Sequence, residues 1–469
     1  MKKTFGRTAA HSAKTRKTRA GRRQRHAGRG GSHPGGTYRL GYERGYEQGL
    51  IQGKEAYTEP FHGTSIIIPS YNQADYLARC IESIESHTAE PHEIIVVDNG
   101  STDGTGAYLE KRSGRLRFKR FDTNRGFAGG VNQGLMMARG DSIVILNNDT
   151  LVTPGWLSHM LRCLHSDPEI GAVGPVTNYI SGEQQIDVPY KSVEEMWNFA
   201  ASRSMPDEGK WKETDRLVGF CVLFRRTLLE RIGYFDEGFR IGNYEDDDWI
   251  IRIRLCGLKL MIAGDSFIHH FGSVSMKNLG EKQFREVEGH NGSYYAEKWG
   301  NPHAWVAFAG QHSTVGNNVL RSGQSASPAD FYPSHVLIRD QGERQFLLYR
   351  GRKYPCGPLQ ELVGVRPVTL SRMDIRSIPT ADAIIPGEEL LALLQHPADE
   401  PKDGQLVCSD DGTVYQWCDG SVRPFVSDFA LGRWELKGRS IIRLPADKMK
   451  SVPRGLPLIA PPVLLNPVL

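Results

Sequence analysis

Cysteine is sparse in this chain: seven residues in 469, an odd number with no Cys-x-x-Cys pair. That argues against a disulfide framework or a zinc ribbon and fits a reducing compartment. No apolar run approaches the roughly 20 residues that a membrane span needs. No apolar segment follows the basic start either, so no signal peptide is expected and a cytoplasmic location is. The first 40 residues contain no acid at all against twelve Lys or Arg, so the formal net charge of +4 leaves 4 − 12 = −8 for the rest and the body is mildly acidic.

The stretch "KTRKTRAGRRQRHAGRGG" has almost nothing apolar to bury, and residues 1–58 are read as a disordered basic arm ending in a Gly/Tyr-rich segment. Such an arm suits an anionic surface or polymer, or serves as a solubilising tail. In "YRLGYERGYEQGLIQG" Tyr38, Tyr42 and Tyr46 fall four apart, as in a weak helix whose aromatic stripe packs on the next domain. The length calls for two or three domains.

From Thr64 strands and helices alternate. "TSIIIP", "EIIVVD", "LRFKRF" and "SIVILN" read as strands. "NQADYLARCIESI" reads as a helix capped by Asn72, "FAGGVNQGLMMARG" as a helix closed by Gly140, and Thr153–Pro154 as the start of another through Trp156 and Leu164. This alternation implies an α/β fold with a mostly parallel sheet. Three strands run into polar clusters: Ser70, Tyr71 and Asn72; Asp98 through Asp103; and Asn147, Asn148 and Asp149. One such cluster is an ordinary turn. Three on the carboxyl edge of one sheet make a pocket, the usual ligand position in open α/β sheets.

Five strings in order carry a resemblance to glycosyltransferase family 2: "IIIPSYNQADYLARCIESI", "IIVVDNGSTDGT", "NRGFAGGVNQGL", "ILNNDT" and "GYFDEGFRIGNYEDDDWIIRIRLCG", within residues 62–280. The resemblance implies a GT-A fold over residues 59–310. It also implies inverting, metal-dependent transfer of a sugar from a nucleotide diphosphate (UDP, dTDP or GDP) to a hydroxyl on a saccharide, polymer or glycoprotein. "NND" stands where the family has its D-x-D metal motif, in the N-x-D form of the rhamnosyltransferase-like branch. By that likeness the nucleotide is met by Pro69, Tyr71, Asn72, Asp98, Ser101, Asp103, Asn124, Gly126, Asn132 and Asn148. Asp98 would accept from the base edge, and Asn124 and Gly126 bring a helix N-terminus to the diphosphate. Asp149 is expected to hold Mn²⁺ or Mg²⁺, hard ions that accept one carboxylate with phosphate oxygens. In "FIHHFGSVS" His269, ahead of His270, is the expected further metal ligand.

"NYEDDDW" crowds four carboxylates into a helix start, which favours the helix dipole but raises at least one pKa through mutual repulsion. By its motif Asp246, with Glu245, is the expected catalytic base, and Asp247 a solvated carboxylate. The reading from another class is a non-catalytic structural or adaptor protein on a degenerate scaffold, which Asn147 favours. Binding of a nucleotide diphosphate with Mn²⁺ separates the two.

Residues 311–335 are polar and read as a linker, so a chain ended near residue 310 is expected to stay soluble. Beyond lies a repeat of two β-rich units, about 336–395 and 404–462. Gly351 matches Gly420 and Pro355 matches Pro424 at an offset of 69, and Gly387 matches Gly455 at 68. Each opens as a hairpin on a Gly turn, clearest at Asp419–Gly420. These units suit binding or assembly and show no catalytic constellation.

Overall fold

The computed structural model describes residues 59–272, 280–312, 326, 328–356, 366–382 and 401–466. The basic arm, the Tyr stripe and Gly387 therefore lie outside the described residues.

Nine strands build the main sheet: β1 (Phe61–Ser70), β2 (His92–Asp98), β3 (Arg117–Arg120), β4 (Gly140–Leu146), β5 (Thr150–Val152), β6 (Ile170–Thr177), β7 (Trp211–Thr214), β8 (Cys221–Arg225) and β9 (Lys259–His270). Their order is β3-β2-β1-β4-β8-β6-β9-β5, with β7 paired to β9. The β3-β2-β1-β4 half is wholly parallel. Beyond it β8 enters antiparallel between β4 and β6, so the sheet as a whole is mixed.

Residues of alternate parity serve opposite faces of the sheet. Ile66, Ile68, Val144 and Leu146 pack with the helix α1 (Ala74–His87) through Leu77, Cys80, Ile81 and Ile84. Ile67, Ile143 and Ile145 pack with α2 (Gly126–Met137) through Val131 and Leu135. Ser70 stands opposite Asp98 and Ile67 opposite Ile145, so the three polar strand ends lie along one edge, as the sequence implied.

Helix starts differ in detail from the expectation. Asn72 and Gln73 are both left-handed (φ 57° and 66°). Asn72 accepts from Thr102 N–H at 2.9 Å instead of capping α1, and Asp103 accepts from Ala74 N–H at 3.0 Å. α2 ends at Met137, and Gly140 opens β4. Thr153 donates its hydroxyl to Phe267 O, and Gly155 is the N-cap of the helix Trp156–Ser166.

The two C-terminal units are copies: strands Val336–Arg339, Gln345–Tyr349, Arg352–Pro355 and Val368–Thr369 repeat as Leu406–Cys408, Val414–Cys418, Ser421–Pro424 and Ile441–Arg443, in the same order. In the hairpins the offset of 69 holds. Afterwards it lengthens: Lys353 N–H donates to Pro379 O and Val422 N–H to Pro453 O, and Ala381 and Gly455 return equivalent bonds. The matching segments are therefore Ser377-Ile378-Pro379 and Ser451-Val452-Pro453, and Gly455 corresponds to Ala381 rather than to Gly387.

The expected independence of residues up to 310 does not hold. Two further helices, α3 (Glu245–Leu255) and α4 (Glu281–Trp299), belong to one continuous core in which Trp249 and Trp299 join Phe331, Trp434 and Ile459. Ser427 donates to Lys298 O at 2.8 Å, and Tyr294 meets Phe429 edge-on at 5.3 Å between ring centres. Near the end of the described chain, Val463 N–H donates to Asp236 (3.1 Å) and Leu465 N–H to Glu237 (2.6 Å).

Inside this junction Lys298, fully buried, places its ammonium 2.5 Å from Asp236 and 2.5 Å from Asp248. Burial alone would raise the Asp248 pKa, but Lys298, Arg252 and Trp299 hold it below the usual carboxylate range. Replacing Lys298 by Met should leave two carboxylates buried and short of a partner. A loss of about 3–5 kcal/mol is expected, the scale for breaking a buried pair, and is read from denaturant unfolding of the full chain.

Candidate functional site

A cavity of about 200 Å³ opens at the polar sheet edge. Pro69, Tyr71, Asn124, Asn148, Asp149, Glu245 and Asp246 of the expected set line it. The remaining expected residues do not line it: all but His269 tie together the segments that do, and His269 faces away.

Asp98 is fully buried. One oxygen accepts from Ser101 N–H at 2.9 Å and the other from Arg120 at 3.1 Å, so the carboxylate organises its own loop and does not line the cavity. Ser101 accepts from Asn72 N–H at 2.7 Å, and Asp103 caps α1 as above, so these three side chains tie the first two strand-end loops together. Asn132 is fully buried in α2. Its amide donates to Phe235 O and Glu237 at 2.9 Å each and accepts from Phe235 N–H at 2.8 Å, joining the donor half to the segment before α3. Gly126 has φ 74°, and a Cβ there would come within 3.2 Å of Ile241 N. A side chain is thus excluded at the start of α2, where Asn124 accepts from Gly126 N–H at 2.8 Å.

The two histidines exchange the parts expected of them. β9 pairs antiparallel with β5, setting His270 opposite Thr150 and His269 opposite Leu151. His270 Nε2 lies 3.2 Å from Asp149 Oδ1, and its ring stacks on Phe220 at 5.3 Å. His269 turns to the other face, shares a 2.8 Å hydrogen bond with Tyr190 and packs on Phe271. Its pKa is pushed down to about 4, chiefly by burial, with His270 and Arg79 adding to it. His270 therefore replaces His269 as the histidine beside Asp149.

The His270 tautomer follows from its other nitrogen. Nδ1 lies 2.9 Å from Tyr179 O, which can only accept, so Nδ1 carries the proton. The lone pair of a neutral ring at Nε2 then faces a carboxylate oxygen, an arrangement that a cation or a second proton reconciles. Asn147 adds a buried amide oxygen with no protein partner, at the place of the missing aspartate. Oxygen from Asn147 and Asp149 and nitrogen from His270 make a donor set that fits Mn²⁺ or Mg²⁺. Among the described residues no three His, Cys, Asp or Glu gather at one point, so phosphate or water oxygens would have to complete the shell.

Across the cavity the four carboxylates of α3 do four different things. Glu245 is 4% exposed, and its Oε2 has no protein partner. Its pKa is raised, first by burial and then by Asp246. The Asp246 pKa is also raised, though less, by burial and then by Asp247; its oxygens accept from Gly219 N–H (2.8 Å) and Asp247 N–H (3.0 Å). Asp247, expected to be merely solvated, forms a two-pronged pair with Arg216 at 2.6 and 3.1 Å. Asp248 is the buried partner of Lys298 and Arg252.

The sequence reading passed over Asn99, Phe220 and the segment Ile241–Asn243, all of which line the cavity. Asn99 sits inside the quoted "VVDNGSTDGT", and its amide accepts from Arg125 N–H and donates to Gly126 O.

The sequence pattern of Glycosyl transferase family 2 matches residues 65–233. "Glycosyltransferase GlyG" of Streptococcus pneumoniae is 24% identical over 216 residues, 43% of this chain and 68% of that protein. "N-acetylglucosaminyl-diphospho-decaprenol L-rhamnosyltransferase" of Mycobacterium tuberculosis is 24% identical over 305 residues, 60% of this chain and 94% of that one. Coverage of other curated relatives falls as low as 18% of their length. The solved mannosyltransferase PcManGT of Pyrobaculum calidifontis, in complex with GDP-Man and Mn²⁺, is 24% identical. It covers 45% of this chain and 57% of its own, with a TM-score of 0.34, too low to carry an argument.

Calorimetric titration with Mn²⁺ and a nucleoside diphosphate checks the donor set. His270→Ala and Asp149→Ala should each weaken metal-dependent binding about 10- to 100-fold, while His269→Ala should leave it near the parent value.

Proposed function

From the membership of residues 65–233 in glycosyltransferase family 2, we propose that the chain transfers a sugar from a nucleotide-diphosphate donor to a hydroxyl acceptor, with inversion and with a divalent cation. The observation that carries this reading is one cavity lined both by Asn147, Asp149 and His270 and by the carboxylates of Glu245 and Asp246. The transfer needs both groups at one site, because the leaving diphosphate must be held while the incoming oxygen gives up its proton.

When bound, the cation would neutralise charge on the diphosphate leaving group, held by Asn147, Asp149 and His270. The N-terminus of α2, reached through Asn124 and Phe127, turns the positive end of its dipole to the same phosphates, although the N–H groups of Gly126 and Phe127 are spent on Asn124 and on Ile241 O. Asp246 takes the proton of the acceptor hydroxyl as that oxygen bonds to the anomeric carbon and the bond to the diphosphate oxygen breaks. Asp246 suits this better than Glu245: both carboxyls are raised, but Asp246 less, so it ionises first as pH rises while its neighbour still holds a proton. The orphan carbonyl of Asn147 favours the enzyme over an inert scaffold, since a discarded site has no reason to keep a buried acceptor unpaired. The relatives' names point to cell-envelope polysaccharides as the acceptor class, the reading adopted here.

Asp246→Asn keeps the shape and removes the base. Turnover should fall about 10²- to 10⁴-fold with nucleotide affinity unchanged. In the parent, the base must be ionised and its pKa is raised, so kcat should climb with pH through a limb above the ordinary carboxylate range. Steady-state rates over a panel of nucleotide sugars check both; a variant within a few fold of the parent would remove Asp246 from the role.

A further inference from the structure

Directly before α3 runs a short segment, Arg240–Tyr244, that carries an unusual amount of backbone strain. Ile241, Asn243 and Tyr244 are all left-handed, with φ of 57°, 81° and 73°. A β-branched residue in that region is a genuine outlier. The strain persists only where surrounding groups over-determine the backbone. The segment also joins α2 to α3 at the cavity: Ile241, Gly242 and Asn243 line it, Phe127 N–H of α2 donates to Ile241 O, and Glu245 and Asp246 follow directly.

One side chain holds it. Asn291 of α4 is fully buried. Its Nδ2 donates to Arg240 O at 2.9 Å, Gly242 O at 2.8 Å and Asn243 O at 3.1 Å, and its Oδ1 accepts from Arg240 N–H at 2.9 Å. The amide's two protons are thus shared among three carbonyls of this segment, and its oxygen accepts from the same segment. Asn291 itself lies outside the family match at residues 65–233, on the helix that grips Asp236 and Asp248 through Lys298.

We propose that Asn291 is a positioning residue of the transfer reaction: it clamps the strained segment 240–243 and thereby sets the mutual placement of α2, which meets the donor phosphates, and of Asp246, which meets the acceptor. The proposal rests on the transferase reading above, and the experiment keeps the two apart.

The full chain carrying Asn291→Ser, which keeps a small polar group but loses the two-sided clamp, is compared with the parent, and Asn291→Asp serves as the second variant. In the folded variant kcat should fall about 10- to 100-fold with the donor KM changed by less than threefold. The acid limb of kcat should move toward the ordinary carboxylate value as water reaches Asp246. Arg240 is exposed, and brief trypsin treatment should now cut after it where the parent resists. The trypsin readout needs no activity: if the parent transfers no sugar from any donor, the transferase reading fails while the clamp is still judged by cleavage. An active parent together with an Asn291→Ser variant of unchanged kcat, pH limb and trypsin resistance would overturn the positioning role. So would failure of both variants to fold, since Asn291 would then serve the fold as a whole.

Discussion

A single ammonium governs the placement of α3, whose first residues line the cavity. Lys298, with no solvent exposure, lies between Asp236 and Asp248, and each carboxylate has further donors: Tyr294 and Val463 N–H on Asp236, Arg252 and Trp299 on Asp248. Burying such a group is costly unless every partner is satisfied. Here the partners come from four places: the segment before α3, α3 itself, α4 and the C-terminal tail. A network of that kind is poor evidence for net stability but fixes geometry, because displacing any one element leaves a charge buried without compensation.

That geometry reaches the cavity by short paths. Asp248 is two residues from Asp246 on the same helix. Asp236 adjoins Glu237, whose carboxylate accepts from Asn132 in α2 and from Leu465 and Asn466 of the tail. Helices α2 and α3 are thus both referred to α4 and to the end of the chain. The repeats belong to this arrangement physically: their aromatic residues Phe331 and Trp434 complete the core that Trp249 and Trp299 begin.

What the sequence could show depended on how local the signal was. Strand and helix order, the edge of the sheet and seven lining residues were legible, because hydrophobic period and strand-end polarity are local properties. His269 against His270 was not, because parity alone says the two face opposite ways, and only the antiparallel register with β5 decides which meets Asp149. "EDDDW" announced a crowd of carboxylates, but the split into an orphan, a base candidate, an Arg216 partner and a Lys298 partner depends on residues from 29 positions before the string to 49 after it. The repeats were visible through their glycine turns. The later register slipped because the second copy is five residues longer between hairpin and helix, which a comparison at fixed offset cannot follow.

The polar linker reading failed for a related physical reason. Composition measures what a segment can bury, not what its flanks bury against each other. Residues 311–325 are rich in polar side chains, yet the helix Pro302–His312 before them and Ala326, Ala329 and Phe331 after them enter the same apolar cluster. A transferase core ended at α4 would leave Trp299 and the Lys298 pairings uncovered, so the boundary of the family match is a boundary of resemblance and not of folding. The C-terminal units supply what the first half lacks on its own: an apolar lid over α3 and α4, and, in Val463 and Leu465, backbone donors for the two carboxylates at Asp236 and Glu237. On that view the repeats work first as part of the framework that holds α3 and α4, and any binding surface they present is oriented by it.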